Sequence, residues 1–379
     1  MYKRQEYTRA EDIINYKYWD EGKLTWDDFQ DTLSLKGVPS AFNAFLRIEK
    51  TEKRDGNTRT IRPEAQACFD KRHSFADRQI QNENLLRLFQ LKYDLLEMYR
   101  RRLQTELNLG VVGIAADNRT RQYMDLYTEQ SKKAEQETEN GQNEIKLQEW
   151  EFYVTKELIE NPAPSIPRIS PRRFGYGFYL GTGASFPVGS IADYWDPAWQ
   201  INVGFDLAYA NTHLLCDFSA GTARTRQEIT VSNGQITDTW LRNGHNTYTS
   251  ISLGIGQQLI STKYFALMPY VGCIWSGYSD QAKIQEGRNE RTTLSYTNFN
   301  WTAGICFDYR FSTTISLVPS FWRGHREIFT ASIRTKLFIN REQFHNFKIA
   351  PDDNGSMLRG CKLGFSVACL GFSRLLQIK

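Results

Sequence analysis

The sequence predicts an α+β domain, a short sheet plus helices, followed by an antiparallel membrane β-barrel of about eight strands. Three observations carry this. Apolar residues recur at helical spacing up to about Pro162, they alternate at a period of two from about Arg172, and a proline-rich run separates the two regimes. Residues 1–165 are therefore read as one domain with its linker, and residues 166–379 as the barrel.

The first domain opens with Leu24-Thr25-Trp26-Asp27-Asp28-Phe29, followed by two extended stretches at 41–53 and 58–69. A helix is predicted over 77–107, where Leu85, Leu88, Phe89, Leu95, Leu96, Tyr99 and Leu103 fall near helical spacing. Asn108-Leu109-Gly110 supplies its stop. Two more helices are predicted over 118–139 and 143–159. The run Asn161-Pro162-Ala163-Pro164-Ser165-Ile166-Pro167 cannot continue a helix and reads as a stiff linker.

Beyond the linker, the stretch 199–209 sets Trp199, Ile201, Val203, Phe205, Leu207 and Tyr209 against Gln200, Asn202, Gly204, Asp206 and Ala208. The stretch 299–311 repeats the rule, as does 250–256; weaker versions occupy 174–186, 214–222, 264–278, 328–338 and 361–372. A soluble sandwich buries its large apolar residues and exposes long polar ones. Here the second face is mostly Gly, Ser, Ala, Asn and Thr, which suits a narrow lumen with aromatics outside. A soluble antiparallel barrel is the alternative. Connections at 210–213 and 260–263 are tight, whereas those at 187–197, 224–244, 280–294 and 340–360 are long and polar. That alternation is typical of outer-membrane barrels. The segment 315–322 breaks it, as an extra strand or an external excursion, so ten strands stand as the second choice.

Composition excludes several classes. The net charge of +4 and the lack of a basic cluster give no footprint for nucleic acid. A mean hydropathy of -0.54 without a long apolar run excludes transmembrane helices but not membrane strands. Cys68, Cys216, Cys273, Cys306, Cys361 and Cys369 form no CxxC pair and read as small apolar residues. The opening Met1-Tyr2-Lys3-Arg4-Gln5 matches the translation of a transposon-end sequencing adapter read from a GTG start. An export signal is accordingly expected upstream of Met1.

The first domain resembles a bacterial family of secreted proteins that look like zinc peptidases. The family's hallmarks are an LTWxDF opening, a helix of the form HEQxHFDIxExYARxLR, and a YDxETxHG…QxxW segment. Their counterparts are residues 24–29, residues 88–103, and Glu137-Thr138-Glu139-Asn140-Gly141 with Gln148 and Trp150. The resemblance covers about residues 20–155. A helical HExxH sets two imidazoles one turn apart on zinc, with the glutamate as general base. Leu88 and Lys92 stand where the histidines would be, Phe89 replaces the glutamate, and Asn140 replaces the third ligand. No cofactor or metal is therefore expected. Asp94, which in the family holds a ligand histidine, is expected to pair with Lys92 or Arg101. A cleft that still binds peptide is the functional alternative. The barrel half resembles outer-membrane barrels of the Bacteroidota type.

Gly175-Tyr176-Gly177 and Gly181-Thr182-Gly183 precede no helix, so they are not phosphate loops. His213, His245, His325 and His345 lie in turns and loops without ligand spacing. Asp206, Asp217, Asp308, Arg310, Arg334 and Lys336 face the lumen if the alternation holds, where they should pair into an ion network that plugs it. The sequence therefore points to a non-catalytic anchor in the outer membrane of a Gram-negative bacterium, carrying a degenerate peptidase domain in the periplasm. Its expected partners are the lipid bilayer and another envelope protein or peptide held by that domain. Two other classes compete: a small pore or transport barrel, separable by single-channel conductance, and an exported soluble binding protein with a β-sandwich tail.

Overall fold

The computed structural model describes residues 15–31, 39–165, 167–232, 237–280, 295–318, 326–344 and 358–378. In the first domain β1 (Tyr16–Tyr18), β2 (Ser40–Ala41), β3 (Ala44–Asp55), β4 (Thr58–Asp70) and β5 (Phe75–Ala76) precede three helices. β3 and β4 form a hairpin closed by Gly56 and Asn57, with Gly56 at φ 59. A side chain rarely takes that conformation, so glycine suits the turn. β1 pairs with the other edge of β4, and β2 pairs with β5.

Helix α1 (Glu83–Leu109) starts later than residue 77, because Asn82 caps it: its side chain accepts from the Leu85 N–H at 2.8 Å. It stops at Gly110, at φ 126, the left-handed position that favours glycine. Its apolar stripe, with Leu88, Leu91, Leu95, Leu96 and Leu103 almost fully buried, packs on Leu46, Ala65, Ala67 and Phe69 of the hairpin. Helices α2 (Ile114–Glu137) and α3 (Glu144–Glu160) close the core through Tyr127, Ala134, Leu147 and Val154.

The second half forms a closed ring of eight antiparallel strands. In ring order they are β6 (Ile169–Gly189), β7 (Ala198–Tyr209), β8 (Thr212–Arg224), β11 (His245–Gln257), β13 (Phe265–Asp280), β14 (Ser295–Ser316), β15 (Glu327–Phe344) and β16 (Leu358–Ile378). β16 pairs back onto β6, leaving no edge. Outside the ring lie the hairpin of β9 (Ile229–Ser232) and β10 (Thr237–Trp240), and the short β12 (Ile260–Ser261). The number of strands is thus eight, not ten. Ile315 and Ser316 are the last residues of β14 rather than an extra strand, and residues 319–322 lie outside the described ones. Most of the expected 280–294 connection lies outside them too. Several strands outrun their predicted ends. β15 continues to Phe344 and β16 begins at Leu358, within the segment expected as a loop.

The first domain is docked, not merely tethered. Thr58–Ile61 of β4 pair in parallel with Thr313–Ser316 of β14, just past a register shift between Arg310 and Ser312. Asn57 donates from Nδ2 to the carbonyls of Lys263 and Arg310, and Lys263 reaches Asp55 at 3.2 Å. The hairpin tip therefore sits at the ring end that carries the short turns. The first residues of β6 and the last of β16 lie at that same end.

Alternation holds around the ring, and it is inside-out relative to a soluble protein. Trp199, Ile201, Phe205, Phe299, Trp301 and Ile305 are exposed, while Asn202, Asp206, Thr302 and Asp308 are buried. The small inward residues make room for rings. A Cβ on Gly204 would lie 2.2 Å from Tyr179, and one on Gly304 would lie 2.7 Å from Tyr270. Gly204→Ala should therefore cost about 1–3 kcal/mol by overpacking. Reversible urea unfolding in detergent or lipid would measure it, and an unchanged midpoint would show that Tyr179 has another place to go.

Candidate functional site

Two places were predicted to carry function, and the structure treats them differently. In the first domain, Leu88, Phe89 and Lys92 on α1 form a filled interior instead of a ligand set. Phe89 lies 5.2 Å from the Phe29 ring and 5.5 Å from that of Phe42. Lys92 places its ammonium 4.7 Å from the Phe42 centroid and 2.5 Å from a Glu135 oxygen. The cation is thus held by a carboxylate of α2 and by an aromatic face. Asn140 is an exposed turn residue at φ 56, and its N–H donates to the Glu135 carbonyl at 2.9 Å. Among the described residues, no three His, Cys, Asp or Glu side chains gather as metal ligands. His73 sits apart, bonded to Asp70 of its own turn at 2.9 Å.

Asp94 pairs with neither Lys92 nor Arg101, contrary to expectation. Residues two apart on a helix face different ways, which separates Asp94 from Lys92. Arg101 is committed to Glu97 at 2.8 Å and to the carbonyls of Leu158 and Asn161. Asp94 instead accepts from Trp19 Nε1 at 2.8 Å and Gln90 Nε2 at 2.7 Å. Gln90 in turn accepts from the Leu24 N–H at 2.8 Å. These two polar residues therefore fasten the opening segment to the helix. Burial pushes the Asp94 carboxyl above its ordinary range, and the two donated hydrogen bonds oppose that shift.

In the ring, the predicted charged residues come together in layers across the lumen. Nearest the short-turn end, Arg334 donates to Asp308 at 2.7 Å and 2.9 Å and to Asp206 at 2.8 Å. One guanidinium thus joins β15 to β14 and, across the interior, to β7. Farther in, Lys336 reaches Asp217 at 2.5 Å, and Tyr179 and Ser252 donate to the same carboxylate. Arg310 is the exception among the predicted six. It lies at the rim, where its Nη1 donates to the Thr262 carbonyl at 2.7 Å, outside the network.

Sequence reasoning missed three members. His213, read as a turn residue, is the second residue of β8 and holds Asp206 at 2.6 Å while 4 % exposed. Glu342, placed in a loop, and Lys362, inside the predicted strand 361–372 but not singled out, form a third layer at 3.3 Å, with Lys362 3.6 Å from the Tyr248 centroid. The inward parity of Glu342 was readable once its strand was extended, since it falls on the same face of β15 as Arg334 and Lys336. Trp195, Trp240, Tyr248 and Tyr278 close the ring beyond them. His245 is exposed at the start of β11, and His325 and His345 lie outside the described residues. The six cysteines form no disulfide; Cys216, Cys273 and Cys369 are exposed on the outer face. Between the layers, the lumen cavity is about 30 Å³.

No protein-family model matches the chain, and no curated protein matches it. Several solved structures are similar to it over about half its length. One is Ail, the attachment invasion locus protein of Yersinia pestis, in complex with the heparin analogue sucrose octasulfate. It is 12% identical, with 53% of this chain and 99% of that chain covered and a TM-score of 0.28. The outer membrane protein OprG from Pseudomonas aeruginosa is 9% identical, with coverages of 55% and 99% and a TM-score of 0.27. The N-terminal β-barrel domain of Pseudomonas aeruginosa OprF is 11% identical, with coverages of 53% and 99% and a TM-score of 0.24.

Proposed function

We propose that the chain is a non-catalytic anchor of the outer membrane of a Gram-negative bacterium, whose ring spans the bilayer and holds the helical domain beneath it in the periplasm. The observation that carries this reading is the inverted ring. Large aromatic and aliphatic side chains cover its outside, while Arg334, Lys336, Lys362, Asp206, Asp217 and Glu342 are enclosed within it. Water would not tolerate that outer surface as a monomer's, and hydrocarbon favours it. Closure of the ring satisfies the backbone, which is the condition for strands to cross lipid.

A plug, not a conduit, fits the interior. A cavity of about 30 Å³ leaves room for only a few water molecules, far short of an open channel. Three ionic layers and an aromatic closure cross the path, so a pore would have to break paired charges. For the helical domain, the reading as a degenerate relative of zinc peptidases rests on the sequence resemblance. The packing of Phe89 and the Lys92–Glu135 pair support its non-catalytic half. The docking at the short-turn end supports its periplasmic placement in this reading, because outer-membrane barrels conventionally keep short turns inward.

Three measurements test this. Val203→Arg, in the middle of an outward face, should cost roughly 2–4 kcal/mol in a bilayer, and Val203→Leu almost nothing. A change within about 0.5 kcal/mol for the arginine would mean that the face meets water. In intact cells of a cysteine-free background, a membrane-impermeant maleimide should label Arg242→Cys and spare Glu129→Cys until the membrane is permeabilised. Labelling at 129 without permeabilisation would put the helical domain on the cell surface. Finally, the purified protein should hold no stoichiometric zinc, and Asp94→Asn should leave stability unchanged or slightly raised. Asp94→Leu should lose about 1–3 kcal/mol by orphaning the Trp19 and Gln90 donors. One zinc per chain, lost in the Asp94→Asn variant, would sink the non-catalytic reading.

A further inference from the structure

The short-turn mouth of the ring encloses a cavity of about 380 Å³ that the lumen network does not account for. Its lining carries four cationic side chains, Lys263, Arg310, Arg334 and Arg374, against one carboxylate, Asp308. Asp308 is already committed, since both of its oxygens accept from Arg334. Lys263 is matched by Asp55 of the docked hairpin. Arg310 and Arg374 have no carboxylate within ion-pair distance among the described residues. Each spends one N–H on a turn carbonyl, of Thr262 at 2.7 Å and of Ala210 at 2.5 Å. A guanidinium has five such donors. At the base of the same cavity, His213 Nε2 and Arg334 Nη1 are buried without a hydrogen-bond partner in the protein.

We propose that this vestibule, built by Arg310 and Arg374 above His213 and Arg334, is a binding site for a small organic oxyanion, a phosphate or carboxylate with an apolar portion. Two half-buried guanidinium groups facing one cavity repel each other, and an anion between them offsets that cost. Their forked donors match the paired oxygens of a phosphate or carboxylate. Leu370, Phe372, Ile315 and Ile328 supply an apolar wall for the rest of the molecule. The volume suits a ligand the size of a simple phosphate ester and lies in the range of ordinary small-molecule pockets. The strands close around the cavity, so a soluble anion entering through the mouth reaches it, whereas a headgroup in the surrounding bilayer is kept out by the ring. Thr58 of the docked hairpin forms part of the wall, which makes the helical domain a partner in the site.

Calorimetric titration of the full chain in nanodiscs, first with inorganic phosphate and then with phenyl phosphate, tests the proposal. Saturable binding of one phenyl phosphate per chain is expected, tighter than that of inorganic phosphate and weakening as salt is raised. In the Arg310→Gln, Arg374→Gln double variant, the dissociation constant should rise at least tenfold, with the ring's circular dichroism retained. Should that variant not fold, Arg374→Gln alone should weaken binding several-fold. Absence of saturable binding in the unaltered chain would overturn the site, as would equal affinity in the variants. Nanodiscs enriched in phosphatidic acid should leave phenyl phosphate binding unchanged; competition by that lipid would make a headgroup the occupant and overturn the assignment to a soluble anion.

Discussion

The guanidinium of Arg334 is the interaction around which the ring is organised. It is 2 % exposed, and it bonds carboxylates on two other strands, one adjacent and one across the lumen. A buried charge is tolerable only when it is paired, and removing one partner typically costs about 3–5 kcal/mol. The pairing therefore constrains register as strongly as any apolar contact could. A slip of one residue in β15 would turn Arg334 outward and leave Asp206 and Asp308 enclosed without their cation, since side chains alternate faces strictly. In a ring whose outer surface is uniformly apolar, packing outside discriminates poorly between registers. Specific partners inside do that work, and Tyr179 and Tyr270, seated against Gly204 and Gly304, add a steric version of the same constraint.

The helical domain reverses this arrangement, with an apolar interior and polar fastenings at its edge. The burial of Leu88 and Phe89 adds to the core between α1 and the hairpin. The Lys92 cation is stabilised by Glu135 and the Phe42 ring. Gln90, Asp94 and Glu97 follow a different logic. They bind Leu24, Trp19, Arg100 and Arg101, so they have roles that do not depend on a metal.

Much of this was legible in the sequence, for identifiable reasons. All eight ring strands were visible because lipid-type alternation places large apolar residues at every second position, as in 199–209 and 299–311. Their ends were not, because a residue such as Glu342 looks like a loop residue until its partner Lys362 is known. His213 was hidden likewise: a lone histidine beside a turn has no signature until Asp206 is found opposite. Helix α1 was visible from its stripe, yet its start depended on Asn82 as cap. The docking of β4 on β14 left no trace at all, since Thr58-Arg59-Thr60-Ile61 and Thr313-Thr314-Ile315-Ser316 are ordinary strand ends. Pairing between segments so far apart is decided by which edges the tertiary structure leaves open.

That open edge has a further consequence for how the two halves act together. β14 outruns the ring past its register shift, and the extra length offers unpaired backbone groups at the mouth. Uncovered, such a strand end would be a template for association with other chains. The parallel pairing with β4 covers it, while Asn57 donates to the carbonyls of Lys263 and of Arg310 in β14. The proline-rich linker alone would permit many orientations of the helical domain. Backbone pairing selects one, with the hairpin tip against the vestibule. Any force or ligand that acts on the hairpin is therefore felt at the ring mouth through β14, the strand that also carries Asp308 and Arg310. The mechanical link and the charged cavity thus share one strand, so displacement of the helical domain would change the wall of the vestibule directly.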